Sequence, residues 1–128
     1  MSTRQYIVNL NQLQDISTFS PPLHTKTTER KLIDETKGAR NFALWHGEVG
    51  PGGMVELHVH EEMEKAIIIL DGECLFKLDD QEYRLGKGDI VFVPPKYPHQ
   101  LSTVGTTTLK TLVIMAPPPA SLKEWHKI

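Results

Sequence analysis

With 128 residues, 39% hydrophobic and 23% charged, the chain is long enough for one domain with one core and has an ordinary globular composition. A formal net charge of −2 gives no electrostatic case for nucleic acid or an acidic membrane surface as partner. Cys74 is the only cysteine, which excludes an intrachain disulfide and points to a reducing compartment.

The opening Met1-Ser2-Thr3-Arg4-Gln5 lacks the apolar run of a secretion signal, and the expected location is the cytoplasm. Tyr6 to Leu10 reads as a short strand and Asn11 to Phe19 as a polar stretch with room for a helical turn, broken by Ser20-Pro21-Pro22. Between Thr25 and Glu35, Lys31-Leu32-Ile33-Asp34 is the expected strand. Residues 1–36 are expected to be an N-terminal arm that packs on the rest of the domain or on a partner subunit.

Lys37-Gly38 turns the chain into the strand Phe42 to Val49, where Phe42, Leu44, His46 and Glu48 share one face. His46 and Glu48 on that face either line a cavity or meet solvent. Gly50-Pro51-Gly52-Gly53 is expected to be a tight turn. In the next strand, Met54 to His60, alternation places Glu56, His58 and His60 opposite an apolar face of Val55, Leu57 and Val59. Ala66 to Leu70 is the longest apolar run, too short to span a bilayer and fit for a buried strand. Asp71-Gly72 carries a hairpin signal. Glu73 to Leu78 returns with Cys74 as a small core residue, followed by Glu82 to Leu85 and Ile90 to Val93. Pro94-Pro95-Lys96-Tyr97-Pro98 is a stiff bend that delivers His99. Leu101 to Thr103 and Leu109 to Met115 are the last strands. Residues 119–128 form a short tail, with Trp125 as a packing anchor. Eight or more short strands with almost no helix make an all-β sandwich or barrel, occupying about residues 37–118.

His58 and His60, two apart on a strand, project from one face, and neutral imidazoles that converge make half of a site for a borderline divalent ion. Glu64 stands just beyond, and His99 waits in the bend. The plainer alternative is that these histidines are hydrogen-bonded fillers of the core.

These stretches resemble a small single-domain cupin. The first motif of that family is Gly, five residues, His-x-His, three or four residues, Glu, six residues, Gly. Gly52, His58, His60 and Glu64 fit it with three intervening residues, but six residues back from Gly72 is Lys65. The second motif is Gly, five residues, Pro-x-Gly, two residues, His, three residues, Asn. Gly88, Pro94 and His99 fit, whereas Lys96 stands at the glycine and Thr103 at the asparagine. The resemblance implies a jelly-roll β-barrel of two antiparallel sheets around a metal held by His58, His60, Glu64 and His99. Glu64 is preferred as the carboxylate ligand, reached through a β-bulge; the alternative is three histidines with Lys65 beside them. Fe, Mn, Ni and Zn all suit such ligands. The resemblance also implies a homodimer.

On this basis the expected function is a metal-dependent enzyme acting on a small oxygenated metabolite by isomerase, lyase, decarboxylase or Fe(II) dioxygenase chemistry. Glu56, Lys65, Tyr97 and His46 are the candidates for moving the proton. The alternative is a non-catalytic cupin module that binds a sugar-like small molecule or a metal.

Overall fold

The computed structural model describes residues 2–119 and 126–127. Among the described residues ten strands run in chain order as β1 (Thr18–Phe19), β2 (His24–Ile33), β3 (Ala43–Val59), β4 (Glu64–Asp71), β5 (Glu73–Leu78), β6 (Gln81–Gly86), β7 (Ile90–Val93), β8 (His99–Val104), β9 (Leu109–Ala116) and β10 (His126–Lys127). Every strand pairing is antiparallel. Among the described residues the only helical segments are two short 3-10 turns, Arg4–Tyr6 and Glu35–Lys37, and no helix is long and apolar enough to cross a membrane.

The long strand β3 belongs to both halves of the barrel. Its first part, Ala43 to Val49, pairs with β9, and its later part, Met54 to His58, pairs with β8. On one side the order is β3-β9-β4-β7, on the other β3-β8-β5-β6, and β2 lies along β3 across both. The result is an all-β jelly roll built from two continuous antiparallel halves. Gly50 to Gly53 is the corner where β3 changes halves, not the turn between two strands that the sequence suggests. A Cβ on Gly53 would lie 2.8 Å from the carbonyl oxygens of Gly50 and Thr25, so only glycine lets β3 fold over β2 there.

Asp71-Gly72 likewise is not a hairpin. β4 pairs with β7 and β9 while β5 pairs with β6 and β8, so the chain switches halves at this point. Gly72, at φ +81°, has the Thr108 carbonyl 2.8 Å from the place a Cβ would take, which presses the crossing against the start of β9. Tyr6 to Leu10 forms no strand: the amides of Tyr6 and Ile7 donate to the carbonyls of Thr3 and Arg4, and no sheet edge meets the segment. β2 runs the full length from His24 to Ile33, longer than expected, because β3 offers it a partner throughout.

Alternation then decides what is inside. Val49, Ile67, Ile69, Cys74, Phe76, Val93, Leu101 and Leu109 form one buried cluster, and Ala43, Trp45, Met63 and Met115 a second. Each large apolar side chain fully buried here contributes about 1.5–3 kcal/mol. Cys74 sits inside the first cluster, and burial, with Asp89 adding to it, pushes its thiol up to about 11. β10 pairs with β3 at Val59 and His58; Trp125, with the rest of 120–125 and residue 128, lies outside the described residues.

Candidate functional site

A bulge in β3 sets the site. Pairing with β8 runs Val55↔Leu101 and then His58↔His99, so Glu56 and Leu57 together oppose Gln100 alone. One extra residue reverses the facing of everything after it, and both Val55 and His58 therefore reach the barrel interior. Simple alternation cannot predict this. Glu56 falls in the bulge and is not part of the cavity wall, which corrects its expected place beside the histidines. What it contributes is its carbonyl, which accepts a hydrogen bond from His58 Nδ1 at 2.6 Å.

His99 arrives from the other side at the head of β8. The Pro-rich bend before it holds Lys96 at φ +70°, and the Lys96 amide donates to the His60 carbonyl at 2.7 Å. Glycine adopts that conformation without penalty, which is the physical reason for glycine at this place in the motif. Tyr97 is 45% exposed, so its phenol lies outside the cavity, contrary to expectation. Its carbonyl accepts from His99 Nδ1 at 3.0 Å. Thr103, at the motif's asparagine, donates to the Val49 carbonyl at 3.0 Å and ties β8 to the corner of β3.

The three imidazoles meet. His58, His60 and His99 are buried, with ring centroids 5.0 Å apart for His58 and His60 and 4.1 Å apart for His58 and His99. One ring nitrogen from each lies within 4.8 Å of the others. In His58 and His99 the Nδ1 hydrogen is committed to a carbonyl two residues back, which leaves Nε2 without a hydrogen and turned to the interior; in His99 its lone pair accepts from Lys65 Nζ at 3.2 Å. Burial first, and then the charge of Lys65, holds both rings well below the usual histidine range and so neutral. Neutral, oriented nitrogen donors are what a divalent transition ion requires, and these residues fit one.

The fourth side chain is Lys65. β4 pairs with β9 in regular register from Glu64 through Ile69, and Ile67 and Ile69 are core residues. With no bulge to turn it, Glu64 faces outward and is exposed, which corrects its expected role as ligand. Lys65 faces inward, 4% exposed, with Nζ 3.2 Å from His99 Nε2. Burial pushes its ammonium down to about 7, opposed by the charge of Glu29. His46 is also placed differently from expectation. It is buried, but on the outer side of β3, beneath Leu10 and Leu13 of the N-terminal segment and beside Arg30, Glu48 and Lys110.

Two residues of the wall escaped sequence reasoning: His24 and Glu29, both on β2. A register shift between Thr25 and Thr27 brings them to one face, which alternation alone would not do. Burial, against the pull of Lys65, raises the Glu29 carboxyl to about 8. Burial likewise lowers His24 to about 4. The available signal was Gly47, a glycine in mid-strand, which marks a place where another group approaches closely. Apart from Gln100 and Thr111 the remaining wall is apolar, including Trp45, Val55, Ile67, Phe76 and Met115, around a cavity of about 50 Å³.

Residues 45–115 match the family profile described as Cupin domain. An uncharacterized protein of Methanocaldococcus jannaschii is 37% identical over 82 residues, covering 64% of this chain and 65% of that protein. The tetracenomycin polyketide synthase protein TcmJ of Streptomyces glaucescens is 24% identical over 91 residues, covering 71% of this chain and 61% of that protein. The chain thus spans just under two thirds of the length of these two curated relatives. Among solved structures, the polyketide cyclase RemF of Streptomyces resistomycificus shares 30% identity at a TM-score of 0.72, covering 87% of this chain and 80% of that one.

Proposed function

The chain belongs to the cupin family, and from that premise we propose that it is a metal-dependent enzyme acting on a small oxygenated metabolite. The observation that carries the proposal is the meeting of three buried imidazoles, two of them locked by carbonyl hydrogen bonds with Nε2 inward. A divalent ion held by His58, His60 and His99, whether Fe, Mn, Ni or Zn, would supply Lewis acidity toward an enolate or oxyanion, and dioxygen chemistry if it is iron. The protein's own part is to bind, orient and exclude water. Lys65 Nζ, beside the His99 nitrogen, would hold or move a proton at the histidine cluster. The apolar wall keeps bulk water from that proton. Isomerase, lyase, decarboxylase and dioxygenase reactions all use these parts.

The names of two relatives concern polyketides. A cavity of about 50 Å³ is too small to enclose a polyketide chain, and this supports a small substrate. A second copy of the chain is the proposed partner: Ile90, Phe92 and Ile114 stand exposed on the outer face of β7 and β9. Sedimentation of wild type against Phe92→Lys tests this, with a lower mass expected for the variant.

Protein purified without chelators is expected to carry about one metal ion per chain, and His58→Ala to lose it, by elemental analysis. A second reading, a non-catalytic module binding a sugar-like molecule or a metal, draws on Lys65 standing where the family motif has a carboxylate. Substoichiometric metal under every loading condition overturns the enzyme reading and favours the module.

A further inference from the structure

Glu29 is used by none of the chemistry above. It is 6% exposed, lines the same cavity as His58, His99 and Lys65, and lies outside the group of three ring nitrogens of His58, His60 and His99. Among the described residues its carboxyl is given no hydrogen bond; His24 Nε2 stands 4.0 Å from Oε1, and Thr111 Oγ1 lies over the same Gly47 seat. His24 in turn donates from Nδ1 to the Pro22 carbonyl at 2.8 Å, which turns the Nε2 lone pair toward Glu29. Beneath the carboxyl is Gly47. A Cβ there would lie 2.6 Å from Oε2 and 2.9 Å from Oε1 of Glu29. Gly47 has no positive φ, so the backbone does not require glycine at this place; the seat of the carboxyl does.

We propose that Glu29, seated on Gly47 and backed by His24, is a second recognition point in the cavity, taking the oxo or hydroxyl oxygen of a small 2-oxo or 2-hydroxy acid. The inference rests on the reading of His58, His60 and His99 as the metal end, where the carboxylate of such an acid is held beside Lys65. The size of the cavity sets the class: about 50 Å³ holds roughly three to five water-sized positions, enough for a molecule of a few heavy atoms. The wall sets the chemistry. Polar groups stand at the histidine cluster with Lys65 and Gln100, and at Glu29 with His24 and Thr111, and the remaining wall is apolar. A buried carboxyl in its neutral form both donates to an oxo oxygen and accepts from a hydroxyl, so it serves either acid. A ligand that lacks the second oxygen leaves this carboxyl buried and unmatched, which is how such a group discriminates.

Pyruvate and propionate differ at that oxygen and are nearly equal in size. Calorimetric titration of the zinc-loaded protein is expected to show pyruvate bound about tenfold more tightly than propionate. Glu29→Leu is expected to bring the ratio to about twofold or less, with zinc content and far-ultraviolet dichroism unchanged. Gly47→Ala, which leaves Glu29 chemically intact and displaces it, is expected to lose the preference in the same way, and decides the matter if Glu29→Leu does not fold. An undiminished preference in the folded variants, or none in wild type, overturns the inference. Failure of zinc uptake overturns the metal reading instead. The pyruvate ratio is measured with and without zinc, so the two failures are distinguishable.

Discussion

At the scale of single residues, the buried ionisable groups make stability depend on pH in a direction that can be worked out. Glu29 is raised from 4.5 to about 8, so between those values the folded chain keeps a proton that the unfolded chain has released. Its contribution is complete below 4.5 and is lost as pH rises toward 8. His24, lowered from 6.5 to about 4, acts oppositely in its own window: there the unfolded chain holds the extra proton, and stability rises with pH. Denaturant titrations of wild type and Glu29→Gln at a series of pH values separate the two, and the variant is expected to lose the downward slope. Lys65→Glu is a second residue-scale prediction. It places a carboxylate beside His99 where an amine now stands, and metal retention against a chelator is expected to tighten by about tenfold or more. His58, His60 and His99 were legible because a short motif spacing carried them. The choice between Glu64 and Lys65 was not, since it depended on whether β4 stays regular, and the register of Lys65 with Met115 and Val93 shows that it does.

At the scale of elements, the irregular places do the positioning. The bulge at Glu56-Leu57 turns His58 inward, and the corner at Gly50 to Gly53 sends β3 into the second half of the barrel. Neither is visible in a pattern of alternating residues, because both are set by partners distant in sequence. For the same reason His24 and Glu29 of β2 were missed and His46 of β3 was considered for the wrong side. Gly53→Ala is expected to cost about 1–3 kcal/mol in chemical denaturation, because its Cβ would meet two carbonyl oxygens at 2.8 Å and backbone cannot swing aside as a side chain does. Lys96→Gly is expected to raise stability by about 0.5–1 kcal/mol, by removing a side chain from a left-handed position while keeping the amide that bonds the His60 carbonyl.

At the scale of the whole molecule, the number and kind of strands could be read from turn residues and short apolar runs, and the all-β barrel followed. Which strands neighbour one another could not, as the switch at Asp71-Gly72 shows: the local signal is that of a hairpin, and the global packing uses it as a crossing. Metal bound only by the folded chain should stabilise all of it together. Thermal unfolding is expected to fall by several degrees on exhaustive chelation and to recover on adding zinc, with His58→Ala indifferent to both.

A strand shared by both halves of a barrel has a mechanical meaning. Neither half can melt while the other keeps its edge, because β3 supplies that edge to each. Amide hydrogens of Ala43 to Val49 and of Met54 to His58 should therefore exchange with one common opening energy, as a single cooperative unit spanning the glycine corner.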